Sequence, residues 1–467
     1  MLKWAGYMQM GDVASEGSVA ALSQRLEQTG TTYVRCQFID YIGLARGREV
    51  SAEYLQRYSE RGVAIAPVNF TWDIEDLDYD LRYGPEAGDV FLVADPSSFV
   101  ALPYLKGNGH VFCDVVTANG NPWPGCTRQL LKRTVAQAKQ ELGAASMGFE
   151  QEGFLLKRDA NVYRPGTGFR HHTSDLFDVH QAFMSELLDV LQQLGTPVEK
   201  FNIEDGNGQI ELDVKPGPPL VAAEQYFRLK QAFRFVARQH GFVGSFMPKP
   251  FDNISGSGLH LHLSLQDSTG SPIFGDAGTG DRDGLTDRAR HFIGGLLAHA
   301  PALVALGCPS VNSYKRLRPG LFAPTHAAYG IGNRSAMIRV LRTRTGSGAD
   351  PGQRIELRTA DGTCNPHLLA AAILVAGLDG VRRSIDPGAA IAEDVGNLPA
   401  TVLAKAGIRQ LPVNLSEALD GLEADATFSE AFGTEIIAGF LRVKRLEWSK
   451  YSAHVSDWEY ERYADAF

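Results

Sequence analysis

Hydrophobic and polar positions repeat along the chain with two different periods, and these periods predict the order of helices and strands. The N-terminal part predicts a helix over 18–30, a strand over 32–38 and a turn at 43–47 that leads into another strand. Residues 66–105 are rich in Asp, Pro, Gly and aromatic side chains and lack a helical period. This segment therefore indicates loops and short strands.

A turn cluster at 106–109 precedes a strand-like segment, and it predicts a domain boundary there. Beyond it, helices and strands alternate. Helices are predicted at 127–142, 176–194, 285–306, 366–383 and 428–447, and strands at 147–156, 208–214 and 258–265. The pattern predicts an α+β protein with a small N-terminal domain over 1–107 and a larger second domain over 108–467.

Composition narrows the classes of partner. The 467 residues carry a formal net charge of −9, which gives no basic excess to attract a nucleic acid. No apolar run approaches the ~20 residues that span a bilayer, and the N-terminus lacks an apolar signal core, so we expect no membrane partner. The five cysteines are scattered without a CxxC pair, as expected for reduced thiols in a cytoplasmic protein.

Ionisable side chains recur in four short segments, on one face of a predicted strand or beside a glycine-rich turn. They are Glu150 with Glu152, His260 with His262, Arg354 with Glu356 and Arg358, and Glu204 with Glu211. Taken alone, a Glu pair on a strand is most often a solvated face, and an HxH segment is most often core or surface histidine.

Together these segments indicate one charged site. Carboxylates that converge on one cavity repel each other, and their pKa values rise unless cations neutralise them. Oxygen ligands favour Mg²⁺ or Mn²⁺, and one imidazole is compatible with Mn²⁺. Arginines nearby offer bidentate donors to phosphate or carboxylate. Metal ions, arginines and glycine-rich loops together are typical of sites that catalyse phosphoryl transfer.

The stretch at 312–324 reads NSYKRLRPGLFAP and resembles the glutamine synthetase signature NSYKRLVPGYEAP. Further segments resemble that family in the same order, from roughly residue 30 to residue 467. They are Phe38–Asp40, Glu150–Glu152, Gly208–Glu211, Ser255–His262, Asn333–Arg339, Arg354–Arg358 and Asn365–Gly380.

The resemblance implies a β-grasp-like N-terminal domain and a catalytic domain whose curved antiparallel sheet, flanked by helices, forms the active-site funnel. It implies ATP, L-glutamate and a small amine as substrates, two Mg²⁺ or Mn²⁺ ions per active site, and a homo-oligomer built as a hexameric ring or a dodecamer. Two sets of metal ligands follow by position. They are Glu152, Glu204 and Glu211 beside the glutamate carboxylate, and Glu150, His260 and Glu356 beside the ATP phosphates.

Other roles also follow only from the resemblance. On the glutamate side, Arg316 holds the α-carboxylate and Gly256 offers backbone contacts. Phosphate charge along the transfer path is neutralised by Arg334, Arg339, Arg354 and Arg358. The nucleotide side is lined by His262 and Ser264, and Asp40 of a neighbouring subunit contacts the incoming amine.

Phe322 is the main departure from the family pattern, because it stands where the family has a glutamate that binds ammonium and removes its proton. Ser255 likewise replaces an asparagine, Arg318 replaces a small apolar residue, and the stretch 394–399 lacks the tyrosine of the adenylylation site. Phenylalanine in place of this glutamate removes a negative charge from the site. It also adds apolar surface that contributes roughly 2 kcal/mol when an apolar group packs on it.

The sequence therefore predicts a γ-glutamyl–amine ligase that acts on an apolar alkylamine or arylamine in amine catabolism. An arylamine, which is largely neutral at pH 7, fits especially well. A short alkylamine requires Asp40 alone to take the proton, and a polyamine fits less well. A glutamine synthetase that uses ammonium and a non-catalytic family member are the alternatives.

Overall fold

The N-terminal part of the chain forms a mixed six-stranded sheet. The computed structural model describes residues 19–78, 80–159, 162–166, 173–274, 284–342 and 353–467, so residues 1–18 of the predicted N-terminal domain lie outside it. The strands are β1 (Tyr33–Ile39), β2 (Ala45–Ser51), β3 (Val63–Ile65), β4 (Val90–Ala94), β5 (Val100–Ala101) and β6 (Asn108–Val116). Their order is β2-β1-β6-β4-β3, β5 also pairs with β6, and β1 runs parallel to β6. Helix α2 (Ala52–Arg61) packs against this sheet, and helix α1 (Val19–Thr29) contacts α2.

A larger nine-stranded sheet carries most of the predicted site residues. Its strands are β7 (Ala144–Asp159), β8 (Val162–Pro165), β9 (Val198–Ile203), β10 (Gln209–Val214), β11 (Val243–Ser245), β12 (Leu259–Gln266), β13 (Tyr329–Ile331), β14 (Ile338–Leu341) and β15 (Arg354–Leu357). The order is β13-β14-β15-β12-β7-β10-β9, with β8 and β11 also paired to β7. All pairs are antiparallel except β13 with β14.

Helices cover the larger sheet and supply its core. They are α3 (Thr127–Glu141), α4 (Asp175–Val179), α5 (Gln181–Gln193), α6 (Pro219–Gln239), α7 (Asp287–Ala298), α8 (Ala300–Gly307), α9 (Ser313–Arg316), α10 (Pro366–Arg382), α11 (Ala400–Lys405), α12 (Leu415–Glu423), α13 (Ala426–Phe432), α14 (Thr434–Ala453) and α15 (Asp457–Tyr463). Residues 366–380 of α10 are all buried, because this helix is apolar on every side. α7 approaches it closely at Gly295, where a Cβ would lie 2.1 Å from the Ala376 carbonyl oxygen. The predicted α+β class is confirmed.

Two helices predicted as continuous are broken. The helix predicted at 285–306 divides at His299 into α7 and α8, because Pro301 has no N–H to bond the preceding turn. The helix predicted at 428–447 divides at Gly433, whose φ of +83° favours glycine.

Within the described ranges, no single helix is long and apolar enough to cross a membrane; only α7 and α8 taken together, bent by 70°, meet that criterion.

Strand β6 bears on the predicted boundary between residues 107 and 108. It begins at Asn108, yet it pairs with β1 and β4 of the first sheet. Because hydrogen bonding across a sheet joins strands into one folding unit, we propose that the N-terminal unit extends through Val116. The remainder of the larger unit then begins with α3.

His299, at the break between α7 and α8, predicts a pH-dependent contribution to stability. Its ring nitrogens lie 2.9 Å from Asp379 Oδ2 and 2.6 Å from Asp425 Oδ2. Burial alone would lower the pKa of His299, but hydrogen bonds to Asp425 and Asp379 outweigh it and raise the pKa above its ordinary value of 6.5. The protonated form therefore stabilises the fold below the unfolded-state pKa, and this stabilisation is lost as pH rises through the folded-state pKa.

We expect His299→Gln to lower the free energy of unfolding more at about pH 6 than at about pH 9. Urea unfolding of both proteins at the two pH values measures this difference. His454→Gln, which changes an exposed histidine after α14, is the matched control and should show no such pH dependence. Equal losses for His299→Gln at both pH values would contradict the assignment.

Candidate active site

One cavity of about 950 Å³ opens over the nine-stranded sheet. It is lined by side chains of β7, β9, β10, β12, β14 and β15, and by the loops that precede β12 and follow α9 and β13. The predicted site residues on its walls are Glu150, Glu152, Glu204, Glu211, Gly256, His260, His262, Ser264, Arg316, Phe322, Arg334, Arg339, Arg354 and Arg358. The structure thus brings together all of the predicted site residues except Asp40. Glu356 is fully buried behind the cavity wall, but it lies beside His260 and within the same cluster.

Strand register explains why the ionisable side chains converge. Glu152 is opposite Glu211, and Glu150 is opposite both Asp213 on β10 and His260 on β12. Residues opposite each other in antiparallel strands point to the same face of the sheet, and so do residues two apart along one strand. The alternation within each strand and the pairing between strands together build one charged face.

Glu150 lies at the centre of two close groups of carboxylate and imidazole atoms. It forms one group with Glu211 and His260 and another with His262 and Glu356, and within each group the ligand atoms lie within 4.8 Å of one another. His260 Nδ1 is 2.7 Å from Glu150 Oε1 and 3.6 Å from Glu356 Oε1. These groups divide the residues differently from the two ligand sets that the family resemblance implied, so the assignment of ligands to each ion remains a proposal.

Hydrogen bonding makes His260 a better candidate ligand than His262. Arg354 Nε donates to His262 Nδ1 at 3.1 Å. A guanidinium has only donors, so Nδ1 is an acceptor and the hydrogen of the neutral ring is on Nε2. Nε2 then donates to Glu150 Oε2, 3.1 Å away, and it has no lone pair to offer a cation.

Three arginines, of which Arg316 and Arg358 are buried and Arg339 is half-buried, hold Glu356 and the backbone beside it. Arg339 Nη1 donates to Glu356 Oε2 at 3.0 Å, and Arg358 forms a short ion pair with Oε1. Although burial raises the pKa of Glu356, the charge of Arg358 is the main cause that lowers it below its ordinary value. Arg316, which is also buried, donates from Nη2 to the carbonyl oxygens of Thr359 and Ala360.

Electrostatics at the cluster fit a divalent cation. Burial, together with the charges of Glu150, Glu152 and Glu204, raises the pKa of Glu211 to about 10. Burial also opposes the charge of Glu150, but hydrogen bonds from His260 and His262 lower its pKa well below its ordinary value. Because the ionised form of Glu211 is so strongly disfavoured, this part of the cavity favours an added positive charge. The oxygen and imidazole groups around it are compatible with Mg²⁺ or Mn²⁺.

Phe322 lies on the wall of the same cavity with 79% of its surface exposed. Its φ is +53°, in the left-handed region that a bulky residue adopts rarely. Packing against the rest of this chain therefore does not explain why a phenyl ring stands at this position. An exposed, conformationally costly aromatic side chain on a cavity wall is consistent with a role in contacting a ligand.

Asp40 lies apart from the cavity in this chain and is fully buried. Its Oδ1 accepts from the N–H groups of Ile42 and Leu44, and its Oδ2 lies 2.6 Å from Arg46 Nε. Burial raises the pKa of Asp40 to about 6, although Arg46 opposes that rise. The predicted contact between Asp40 and the amine concerns a neighbouring copy and remains a prediction.

Several residues of this face were missed in the sequence. Gln209 and Asp213 line the cavity with Glu211, and Asn202 Nδ2 donates to Glu211 Oε1 at 2.5 Å. Lys200 Nζ is 2.8 Å from Asp213 Oδ2. The period of two along β10 was the available signal, because it places Gln209, Glu211 and Asp213 on one face.

The cavity gathers carboxylates, histidines and arginines, a set suited to an enzyme that binds phosphate, carboxylate and divalent cations. Comparison with known proteins specifies it further. The family described as glutamine synthetase, catalytic domain, matches residues 124–463. The chain belongs to the glutamine synthetase family and is an ATP-dependent carbon–nitrogen ligase.

The relatives include proteins with two different activities. A glutamine synthetase of Halobacterium salinarum is 34% identical over 98% of this chain and 100% of its own length. A glutamate–methylamine ligase of Methyloversatilis universalis is also 34% identical, over 96% of this chain and 100% of its own length. The solved structure of a GmaS/ADP complex has a TM-score of 0.82 at 31% identity, and the match covers 95% of this chain and 99% of that one.

Proposed function

We propose that this ligase joins an organic amine carrying an apolar alkyl or aryl group to the γ-carboxylate of L-glutamate, at the expense of ATP. Phe322 carries the proposal, because an exposed phenyl ring lines a cavity whose predicted carboxylate, histidine and arginine residues are otherwise present. The glutamate–methylamine ligase relative supports an amine substrate. We further propose a cytoplasmic role in amine catabolism.

In the first half-reaction, the γ-carboxylate attacks the γ-phosphate of ATP and gives γ-glutamyl phosphate and ADP. Two divalent cations held by the Glu150, Glu152, Glu204, Glu211, His260 and Glu356 side chains would neutralise charge on the reacting oxygens. Arg316 and Gly256 hold the amino-acid end of glutamate, while Arg334 and Arg358 balance negative charge on the transferred phosphoryl group. His262, Ser264, Arg339 and Arg354 face the nucleotide.

In the second half-reaction, the neutral amine attacks the acyl phosphate and phosphate leaves. An alkylammonium ion has a pKa near that of lysine, about 10.4, so it must lose a proton before it can attack. An arylamine is already largely neutral, and its ring can stack on Phe322. For an alkylamine, we propose that Asp40 of a neighbouring copy in a hexameric ring or dodecamer accepts the proton.

Product formation with a panel of amines tests the proposal. Purified protein with ATP, Mg²⁺ or Mn²⁺ and L-glutamate would be assayed for phosphate release and γ-glutamyl product with ammonium, methylamine, ethanolamine, isopropylamine, putrescine and aniline. We expect kcat/KM for at least one organic amine to exceed that for ammonium by roughly tenfold or more, equivalent to about 1.4 kcal/mol. A preference for ammonium would overturn the proposal.

Glutamine synthetase activity is the second candidate function. The Halobacterium salinarum glutamine synthetase is as similar to this chain as the methylamine ligase is, so overall similarity does not discriminate between them. Because residue 322 is a phenylalanine, this second candidate requires a carboxylate elsewhere in the site to bind ammonium. In the amine panel it predicts that ammonium is the best substrate.

A further inference from the structure

Gln209 is the first residue of β10, and its buried side chain joins three segments of the site. Nε2 donates to Glu152 Oε2 at 2.9 Å and to the Gly256 carbonyl oxygen at 3.0 Å. Oε1 accepts from the Gly206 N–H at 2.9 Å. Only 1% of the residue is exposed, so every polar group of this amide is used inside the protein.

The hydrogen bond from Gln209 occupies one carboxylate oxygen of Glu152, Oε2, and leaves the other, Oε1, for another ligand. Glu152 Oε2 accepts from Gln209 Nε2 and also from the Gly258 N–H at 3.0 Å. Glu152 Oε1 is the atom nearest His260, 3.9 Å from Nε2. Two donors on Oε2 fix the rotation of the carboxylate, so that Oε1 is presented towards His260.

The contact with Gly206 fixes the turn that carries Glu204. The Glu204 N–H donates to the Gln209 carbonyl oxygen at 3.0 Å, and the Gln209 N–H donates to the Gly206 carbonyl oxygen at 2.8 Å. The side chain of Gln209 then closes the turn from inside. A Cβ at Gly206 would lie 2.6 Å from Gln209 Oε1, so a larger residue there would displace the Gln209 side chain.

The contact with Gly256 extends this support to the proposed glutamate-binding loop. A hydrogen bond from Ser255 to Asp205 forms a second link between the same two loops. One amide therefore sets the positions of Glu152 and Glu204, two candidate cation ligands, and of Gly256.

We infer that Gln209 is a positioning residue that orients Glu152, Glu204 and the Gly256 loop for cation and glutamate binding. This inference rests on the proposed function, because it assigns Gln209 to the same site. A residue that orients metal ligands changes metal affinity by roughly 10- to 100-fold when it is replaced. A glutamine with a purely structural role would change stability instead.

Two substitutions separate these roles. Gln209→Met keeps the length of the side chain but removes all of its hydrogen bonds. Gln209→Glu keeps an acceptor for the Gly206 N–H, but it loses the donors and places a carboxylate beside Glu152. A purely structural role predicts that both variants lower stability but leave the Mn²⁺ affinity of the folded protein unchanged, whereas a positioning role predicts that Gln209→Glu impairs cation and glutamate binding at least as much as Gln209→Met does.

Mn²⁺ binding by calorimetry, the KM for glutamate and the Tm would be measured on the full chain. We expect both variants to lose Mn²⁺ affinity and to raise the KM for glutamate by roughly tenfold or more. The Tm of Gln209→Met should fall no further than that of Gln129→Met, which changes a buried glutamine of α3 whose Nε2 donates to the Val115 carbonyl oxygen.

Wild-type Mn²⁺ affinity and glutamate KM in both variants would overturn the inference while leaving the proposed function intact. A lower Tm without a change in Mn²⁺ affinity would overturn it as well. If the wild-type chain itself neither binds Mn²⁺ nor turns over ATP with any amine or ammonium, the proposed function fails and the inference fails with it.

Discussion

Glu150→Gln is expected to lower glutamate-dependent ATP turnover by roughly 10³-fold, because cation binding supplies several kcal/mol of charge stabilisation. Glu150 belongs to both close groups of candidate ligands. Hydrogen bonds from His260 and His262 lower the pKa of its carboxyl against the effect of burial, so the side chain is ionised. An amide of the same shape removes that charge from both groups at once.

Phosphate release and Mn²⁺ binding check this prediction. Glu199→Gln is the matched control, because Glu199 is an exposed carboxylate on the wall of the same cavity but lies outside both groups. We expect that control to stay within roughly twofold of the wild-type rate, as is usual for a solvent-screened charge. Similar losses in the two variants would show that Glu150 has no special place in the cluster.

Arg128→Met is expected to lower the free energy of unfolding by about 3–5 kcal/mol. The guanidinium of Arg128 is buried on α3 and pairs with three carboxylates. Its Nε is 2.7 Å from Glu224 Oε1, its Nη1 is 3.0 Å from Asp114 Oδ1 and its Nη2 is 2.7 Å from Asp95 Oδ2. These partners lie on α6, on β6 and just after β4, so the substitution leaves the buried Glu224 and the half-buried Asp95 and Asp114 without the charge of Arg128.

Urea unfolding measures this loss, and Arg382→Met provides the comparison. Arg382 pairs with Glu141, but the two side chains are 46% and 33% exposed. Exposed ion pairs contribute about 0–1 kcal/mol, so the control should be nearly neutral. A loss below about 1 kcal/mol for Arg128→Met would mean that Lys132 alone compensates Asp95 and Asp114.

Much of the site could be predicted from the sequence because strands have a period of two. That period places Glu150 with Glu152, and His260 with His262, on common faces. It does not tell which strands are neighbours, and the resemblance to a family supplied only the sets of residues expected to share a cation. The broken helices were missed because apolar positions continue through His299 and Gly433, although Pro301 and Gly433 were visible signals.

The remaining features depend on tertiary packing. The burial of Asp40 follows from hydrogen bonds within its turn and from the Asn365 side chain, which donates to the Asp40 carbonyl oxygen across more than 300 residues of sequence. The role of Gln209 requires three segments to meet, and no local pattern shows that. Likewise, Phe322 was found as a departure from a motif, whereas its exposure and its positive φ could be seen only in the fold.

The central claim is that Phe322 sets the class of amine. The most direct measurement is the ratio of kcat/KM for the best organic amine to kcat/KM for ammonium, in the wild-type chain, Phe322→Glu and Phe322→Gln. Phe322→Glu should lower this ratio by roughly 30-fold, since it removes an apolar contact worth about 2 kcal/mol and restores an anion. Phe322→Gln should weaken use of the organic amine without improving use of ammonium. A ratio unchanged in both variants would contradict the claim.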